Sequence, residues 1–105
     1  MASPAEHFAE GCRVGELRYT VDAEGAPVWP PRAGLSWRTS AGRGTVHATT
    51  VVRRRDEPAH DLSLIELDEG FRIMSRVDGI DPEDVAIGLR VALAWDGETP
   101  VFGPA

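Results

Sequence analysis

Three consecutive arginines, Arg53-Arg54-Arg55, have the clearest potential for chemistry in this sequence. They form the one basic cluster of an acidic chain, which has 11 Arg, 17 Asp or Glu and a formal net charge of −6. Guanidinium groups donate hydrogen bonds in a planar fork that matches phosphate and carboxylate geometry. The cluster therefore predicts contacts with a phosphate or with a partner's carboxylates. The alternative is a solvated loop, or ion pairs with Asp56 and Glu57.

Acid–base chemistry would have to come from three histidines, His7, His47 and His60. His47 lies in a β-branched stretch between Thr45 and Thr49, which favours a hydrogen bond on one face of a strand. His60 precedes Asp61, but neighbouring residues of a strand point to opposite faces, which weakens a base–carboxylate pair. No nucleophile with a supporting geometry accompanies these groups, so we predict no catalytic residue.

Composition excludes several further kinds of site. The chain has one cysteine, Cys12, and no Lys, Asn or Gln. A single thiol excludes an intrachain disulfide and an all-Cys zinc site, and without Lys there is no Schiff base. Cys12 shares a face of the predicted N-terminal helix with Phe8, which favours packing over reactivity. We predict no metal site.

Length and hydropathy indicate one compact domain of 105 residues. No apolar run approaches the ~20 residues that span a bilayer, and the first residues lack the basic and apolar regions of a secretion signal. A single cysteine suits a reducing compartment. We therefore expect a cytoplasmic protein without membrane contacts.

The elements that must position these residues begin with a short helix. Ser3 and Glu6 form a capping box, Pro4 occupies the first helical position, and Gly15 is placed to end the helix. Residues 17–29 predict a weak hairpin that turns at residues 22–25. The Pro30-Pro31 pair that follows breaks any regular ladder, because proline cannot donate to it.

The remainder of the chain predicts a barrel. Strands are expected at residues 45–52, 62–67, 71–77, 89–95 and 101–102, with one helical turn at 81–84. A change of apolar phase between Leu64 and Ile65 predicts a β-bulge in the second strand, and Trp95 continues a core stripe. The fold class is therefore all-β, a five-stranded Greek-key OB-fold barrel at residues 41–105. Residues 1–40 form the N-terminal helix and hairpin.

Five segments resemble, in order, the OB-fold family catalogued as domain of unknown function 35. They are residues 15–19 (GELRY), 29–32 (WPPR), 40–46 (SAGRGTV), 64–70 (LIELDEG) and 81–88 (DPEDVAIG). Members of that family carry a rubredoxin-like zinc ribbon, with Cys-x-x-Cys-Gly where this chain has Val21, Glu24 and Gly25. The second knuckle is deleted between Arg32 and Trp37. The resemblance thus implies a degenerate zinc-ribbon hairpin whose zinc is lost.

The resemblance also implies a role: a non-catalytic accessory subunit of a thiolase-like or related acyl-CoA enzyme, which helps hold or pass an acyl-CoA thioester. On this view Arg53, Arg54 and Arg55 contact the CoA phosphates or the partner. The expected partner interface consists of Trp29, Pro31, Arg32 and Trp37. The two tryptophans either pin the hairpin to the barrel or form an exposed anchor for the partner.

Two other function classes are weaker. A single-stranded nucleic-acid-binding OB domain is the alternative, but a charge of −6 opposes the electrostatic attraction to phosphates. Phe71 and Tyr19 are also too few for a stacking platform. A small thioester hydrolase lacks a recognisable set of catalytic groups. A homo-oligomer is also compatible with the sequence.

Overall fold

A computed structural model of the chain describes residues 2–105 and contains two antiparallel sheets preceded by a helix. The elements are α1 (Pro4–Arg13), β1 (Arg18–Val21), β2 (Pro27–Val28), β3 (Ser36–Thr39), β4 (Arg43–Val52), β5 (His60–Leu67), β6 (Arg72–Ser75), a 3-10 turn (Pro82–Asp84), β7 (Arg90–Asp96) and β8 (Thr99–Pro104). The strand orders are β2-β1-β3 and β6-β5-β4-β7-β8. No helix within residues 2–105 is long and apolar enough to cross a membrane.

The helix α1 begins as its sequence predicts. The hydroxyl of Ser3 accepts a hydrogen bond from the backbone N–H of Glu6 at 3.2 Å, and Pro4 is the first helical residue. The chain leaves the helix through Gly15, whose φ of +77° lies in the left-handed region that glycine adopts without strain. The prediction of this helix is confirmed at both ends.

The first sheet contains the predicted hairpin and one strand more. The carboxylate of Asp22 accepts from the backbone N–H groups of Glu24 and Ala26, both at 2.9 Å, and so turns β1 into β2. The expectation of an extended loop after β2 is wrong in part, because β3 pairs with the whole length of β1. Three of the four residues of β3 are exposed, so its sequence has no buried alternation to reveal it.

The second sheet curls into the predicted five-stranded barrel. Its first strand β4 pairs with both β5 and β7, and β8 returns to the chain that follows β6. There Val77 forms a parallel bridge with Phe102, whose N–H donates to the carbonyl of Arg76 at 3.0 Å. This strand order is that of a Greek-key OB-fold barrel, so the predicted fold class is confirmed.

The predicted bulge exists, but it lies on the neighbouring strand. The register between β4 and β5 shifts between Val46 and Ala48, which makes His47 the extra residue, opposite Leu64 and Ile65. The strand β5 itself alternates without interruption. Its inward residues are Asp61, Ser63, Ile65 and Leu67.

One hydrophobic core joins the two sheets. Tyr19 of β1 stacks on Phe71 with ring centroids 4.6 Å apart, next to the first residue of β6. Trp95, predicted as core, is instead half-buried outside the core cluster, close to Gly15. The boundary between residues 1–40 and 41–105 stays a prediction. The buried core residues are Leu17, Tyr19, Val21, Val46, Ile65, Leu67, Phe71, Ile73, Val77, Val85, Val91 and Phe102.

Candidate partner-binding surface

The predicted interface tryptophans have different surroundings. Trp29 stacks on Phe71 at 5.0 Å between ring centroids and meets the edge of Phe8 at 5.5 Å. Its ring therefore pins the segment after β2 to both the barrel and the helix. Of the two possibilities considered for Trp29, packing is the one that the structure adopts.

Trp37 is also half-buried but, unlike Trp29, it does not pack against the core cluster. Its ring contacts the imidazole of His7 in α1 at a tilt of 47°, with ring centroids 4.4 Å apart, and it lines a pocket of about 280 Å³ together with Pro4 and Gly34. The imidazole of His7 also lies 3.4 Å from the guanidinium of Arg18, which donates to the His7 carbonyl at 3.2 Å. His7 thus has structural contacts that account for its position.

Pro31 and Arg32 remain available to a partner. Pro31 lines an apolar pocket of about 280 Å³ with Trp29, Phe8 and Pro4. Arg32 has an exposed side chain, while its backbone N–H donates to the hydroxyl of Thr20 at 3.3 Å. The segment is therefore fixed through its backbone, and its outward side chains stay free to contact another molecule.

The arginine cluster lies at the tip of the β4–β5 hairpin. Arg53, Arg54 and Arg55 are all exposed. Arg53 forms an ion pair with Glu83 of the 3-10 turn, rather than with the two acidic residues next to the cluster. Within residues 2–105, neither Arg54 nor Arg55 has an ion-pair partner. These two guanidiniums are consequently the ones available for an anion.

The remaining histidines and the cysteine do not assemble a catalytic site. His47 is exposed at the bulge, while Thr49 bonds to the hydroxyl of Ser63 at 2.8 Å, so the predicted histidine contact on that face is wrong. His60 points outward and Asp61 inward, as strand geometry requires. Burial and the nearby charge of Glu98 raise the pKa of the Cys12 thiol, which disfavours the nucleophilic thiolate.

The positions that the resemblance relates to a zinc ribbon do not fit a metal. Val21 is a buried core residue, and Glu24 lies in an exposed turn. The single thiol, Cys12, packs on the buried side of α1. No group of three or more His, Cys, Asp or Glu side chains within residues 2–105 has the arrangement of a metal site.

Two rings that a nucleic-acid platform would need are not accessible. Tyr19 and Phe71 are buried and stacked on each other, so neither ring offers a free face to a base. A strand carries its stacking rings outward in such platforms. The structure therefore gives the nucleic-acid alternative no support.

A cleft of about 300 Å³ lies at the β5, β6 and β8 end of the barrel. Sequence reasoning missed it, because the change of apolar phase between Leu64 and Ile65 predicted a bulge in this strand and did not indicate an exposed side chain at Leu62. Leu62 and Met74 are 43% and 54% exposed. The cleft is lined by His60, Asp61, Leu62, Met74, Ser75, Arg76, Thr99, Pro100 and Val101.

The arginines at the two ends of the barrel form ion pairs within the chain. Arg76 donates to Asp78 at 2.8 Å and to Asp96 at 2.7 Å, and these hydrogen bonds raise the pKa of the guanidinium above its ordinary value. At the other end of the barrel Arg90 holds Asp68 with two hydrogen bonds, which lower the pKa of that carboxyl. Arg76 and Arg90 are thus committed to intramolecular partners.

Comparison with known proteins agrees with this architecture. Residues 37–96, more than half of the chain, match the family described as the C-terminal OB-fold domain of ChsH2. The chain belongs to this family. Its ChsH2-type fold also matches a solved structure, "Ltp2-ChsH2(DUF35) aldolase", with a TM-score of 0.82 and 27% sequence identity. That match covers 99% of this chain and 95% of the other.

Two curated relatives of this ChsH2-type chain are considerably longer proteins. A probable enoyl-CoA hydratase alpha subunit of Thermomonospora curvata is 36% identical over 90 residues, which are 75% of this chain and 28% of the relative. The 3-oxo-4,17-pregnadiene-20-carboxyl-CoA hydratase alpha subunit of Mycobacterium tuberculosis is 32% identical over 100 residues, 84% of this chain and 32% of the relative. The chain thus spans about a third of their length.

Proposed function

We propose that this chain is a non-catalytic accessory domain that binds an acyl-CoA enzyme, of the hydratase, aldolase or thiolase-like class. The observation that supports it is the match over 99% of the chain to a solved structure that is named as an Ltp2-ChsH2(DUF35) aldolase. Both curated relatives are named as subunits of CoA-ester hydratases. The scattered positions of His7, His47, His60 and Cys12 agree with a domain that binds rather than catalyses.

The experiment is reconstitution. The chain is co-expressed with the acyl-CoA hydratase and aldolase subunits of its own genome, and the products are separated by size exclusion with light scattering. We expect a stoichiometric complex with one of them and a higher turnover of its CoA ester than the enzyme shows alone. A chain that forms no complex with either enzyme, and leaves their activities unchanged, contradicts this function.

Within this role, we assign Arg54 and Arg55 to an anion, either a CoA phosphate or a carboxylate of the partner. Both guanidiniums are exposed and unpaired within residues 2–105, whereas Arg53 is held by Glu83. Calorimetric titration with CoA tests the CoA phosphate as the ligand. A parallel titration with 3′-dephospho-CoA shows whether the 3′-phosphate is the group that is bound. Binding of CoA that is lost in the double variant Arg54→Ala/Arg55→Ala favours the phosphate, and retained binding rejects it.

We also propose that the domain works without zinc. Val21 and Glu24 offer one carboxylate between them, and a structural zinc site needs four ligands of the thiolate or imidazole kind. Elemental analysis of the purified chain should find far less than one zinc per molecule, and a chelator should leave its unfolding midpoint unchanged. A zinc-dependent midpoint would contradict this part of the proposal.

A further inference from the structure

The outer surface of the strands β4, β5 and β6 contains a continuous uncharged area. Cross-strand pairing places Ala48 beside Leu64 and Leu64 beside Met74, and the next row pairs Thr50 with Leu62. All five side chains point away from the core, because the alternate residues of each strand point inward. We call these five residues the outer face.

The outer face is more apolar than a solvated sheet surface requires. A half-buried antiparallel strand normally alternates apolar residues inside with polar residues outside. In β5 this order is reversed at two positions, since Asp61 and Ser63 are buried while Leu62 and Leu64 point outward. Exposed apolar residues that are adjacent across strands mark interaction sites more often than scattered ones.

A cleft adjoins the outer face and adds a concave region to it. Leu62 and Met74 belong to both the outer face and the cleft of about 300 Å³, whose lining also includes Pro100 and Val101 of β8. Buried anchors at protein interfaces are large apolar or aromatic side chains that fill pockets of this kind. The cleft therefore suits a single apolar side chain of another protein.

The charges at the two ends of the outer face indicate how a partner protein would be oriented on it. The strand β4 runs from the outer face into the loop that carries Arg54 and Arg55, which have no ion-pair partner within residues 2–105. At the opposite end the next cross-strand row is Glu66 and Arg72, whose charges neutralise each other at 3.0 Å. A complementary surface is apolar at its centre and has carboxylates at the end that meets the arginines.

Two other occupants fit less well. The outer face contains no aromatic ring, so a nucleic acid has nothing to stack on. A second copy of this chain would bring the same charge of −6, and like net charges oppose association. A different protein with an apolar, acid-rimmed patch meets both conditions.

We propose that the outer face, with the adjoining cleft and with Arg54 and Arg55, docks the acyl-CoA enzyme. The inference rests on the proposed function for the existence of that partner, and it adds the surface and the chemistry of the contact. The partner contributes an apolar side chain to the cleft between Leu62 and Pro100, and carboxylates to the two guanidiniums.

The test uses the complex obtained by the co-expression described above. Leu62→Asp and Met74→Asp introduce a charge at exposed positions, so the fold should tolerate both. Ala23→Asp is the matched control, because Ala23 is exposed in the turn between β1 and β2 of the first sheet, away from β4, β5 and β6. We expect the dissociation constant, measured by biolayer interferometry, to rise at least about tenfold for each of the first two variants. The control should stay within about twofold.

A second measurement addresses the charged end. The double variant Arg54→Glu/Arg55→Glu should slow association at least about fivefold at low salt, with little change at high salt. The exposed Arg38 on β3 supplies the control Arg38→Glu, for which we expect unchanged rates. Circular dichroism and the unfolding midpoint check that all variants are folded.

Each result decides between distinct conclusions. If the folded variants Leu62→Asp and Met74→Asp bind the enzyme as the wild type does, the docking surface is wrong while the proposed function stands. If the wild type binds neither enzyme, the proposed function fails and the docking proposal fails with it. A wild-type dimer in sedimentation that Leu62→Asp dissociates would identify a second copy as the occupant and overturn the proposal.

Discussion

The buried carboxylate of Asp61 accepts hydrogen bonds from the backbone N–H of Val77, at 3.1 Å and 2.9 Å from its two oxygens. Val77 follows β6, where the chain crosses to form the parallel bridge that closes the barrel. The same carboxylate accepts from the hydroxyl of Ser63 at 2.6 Å, and Ser63 in turn bonds to Thr49. A charged side chain that is 2% exposed thus organises the barrel closure.

Replacement of Asp61 should therefore destabilise the fold. In Asp61→Ala the backbone N–H of Val77 loses its buried acceptor, which costs about 2–4 kcal/mol of the free energy of unfolding. Asp61→Asn keeps one acceptor oxygen and should cost less. Urea unfolding measures both, with exposed Glu57→Ala as the control within about 0.5 kcal/mol of wild type. Equal stability of Asp61→Ala and wild type would refute this role.

The two tryptophans of the predicted interface should separate in a stability measurement. Trp29 packs on the core through Phe71, so Trp29→Ala should lower the free energy of unfolding by about 2–4 kcal/mol. Trp37 contacts His7 at the surface, and Trp37→Ala should cost about 0.5–1.5 kcal/mol. Thermal unfolding by circular dichroism compares them. A larger loss for Trp37→Ala would show that the roles are reversed.

Local signals in the sequence predicted local structure well. The cap at Ser3, the glycine at position 15 and the turn that begins at Asp81 depend only on residues within one turn of chain. The period-2 pattern from Phe71 to Val77 also predicted its buried face, because apolar residues there coincide with the core. Short-range chemistry of this kind is readable without tertiary contacts.

The inward face of β5 could not be predicted in the same way. Asp61 and Ser63 are tolerated inside because Thr49 of β4 and Val77, which follows β6, satisfy their hydrogen bonds. The change of apolar phase between Leu64 and Ile65 was therefore interpreted as a bulge in β5, and the outer face was missed. The partner of Arg53 was missed for the same reason, since Glu83 reaches it only after the barrel has folded.

Gly44 should not tolerate a side chain, even though its backbone is not strained. A Cβ atom there would lie 2.6 Å from the carbonyl oxygen of Glu66 on the paired strand. We expect Gly44→Ala to cost about 1–3 kcal/mol through overpacking. Gly103→Ala is the control, because its nearest neighbour would be the Asp78 carbonyl at an ordinary 3.6 Å. Urea midpoints for the two variants that do not differ would contradict the clash.

The ion pair between Asp68 and Arg90 should respond to acid. Hydrogen bonds from Arg90 hold the pKa of Asp68 below its ordinary value, so the pair is fully formed above the unfolded-state pKa. It is lost as the pH falls through the lowered folded-state value. In a pH titration followed by NMR, Arg90→Gln should return the Asp68 pKa towards about 3.9. An unchanged titration in Arg90→Gln would exclude Arg90 as the cause.

The Cys12 thiol should be unreactive in the folded chain. Burial raises its pKa, so at pH 8 the folded state contains less thiolate than an unfolded chain with a pKa of about 8.5. Alkylation by iodoacetamide should be at least about tenfold slower in buffer than in urea. The folded-state pKa of Cys12 is higher than the unfolded-state pKa of about 8.5. The protonated thiol therefore contributes to the free energy of unfolding below about pH 8.5, and this contribution is lost as the pH rises through the folded-state pKa. Cys12→Ser should abolish labelling in both solvents, and equal rates for the wild type in buffer and urea would contradict the buried position.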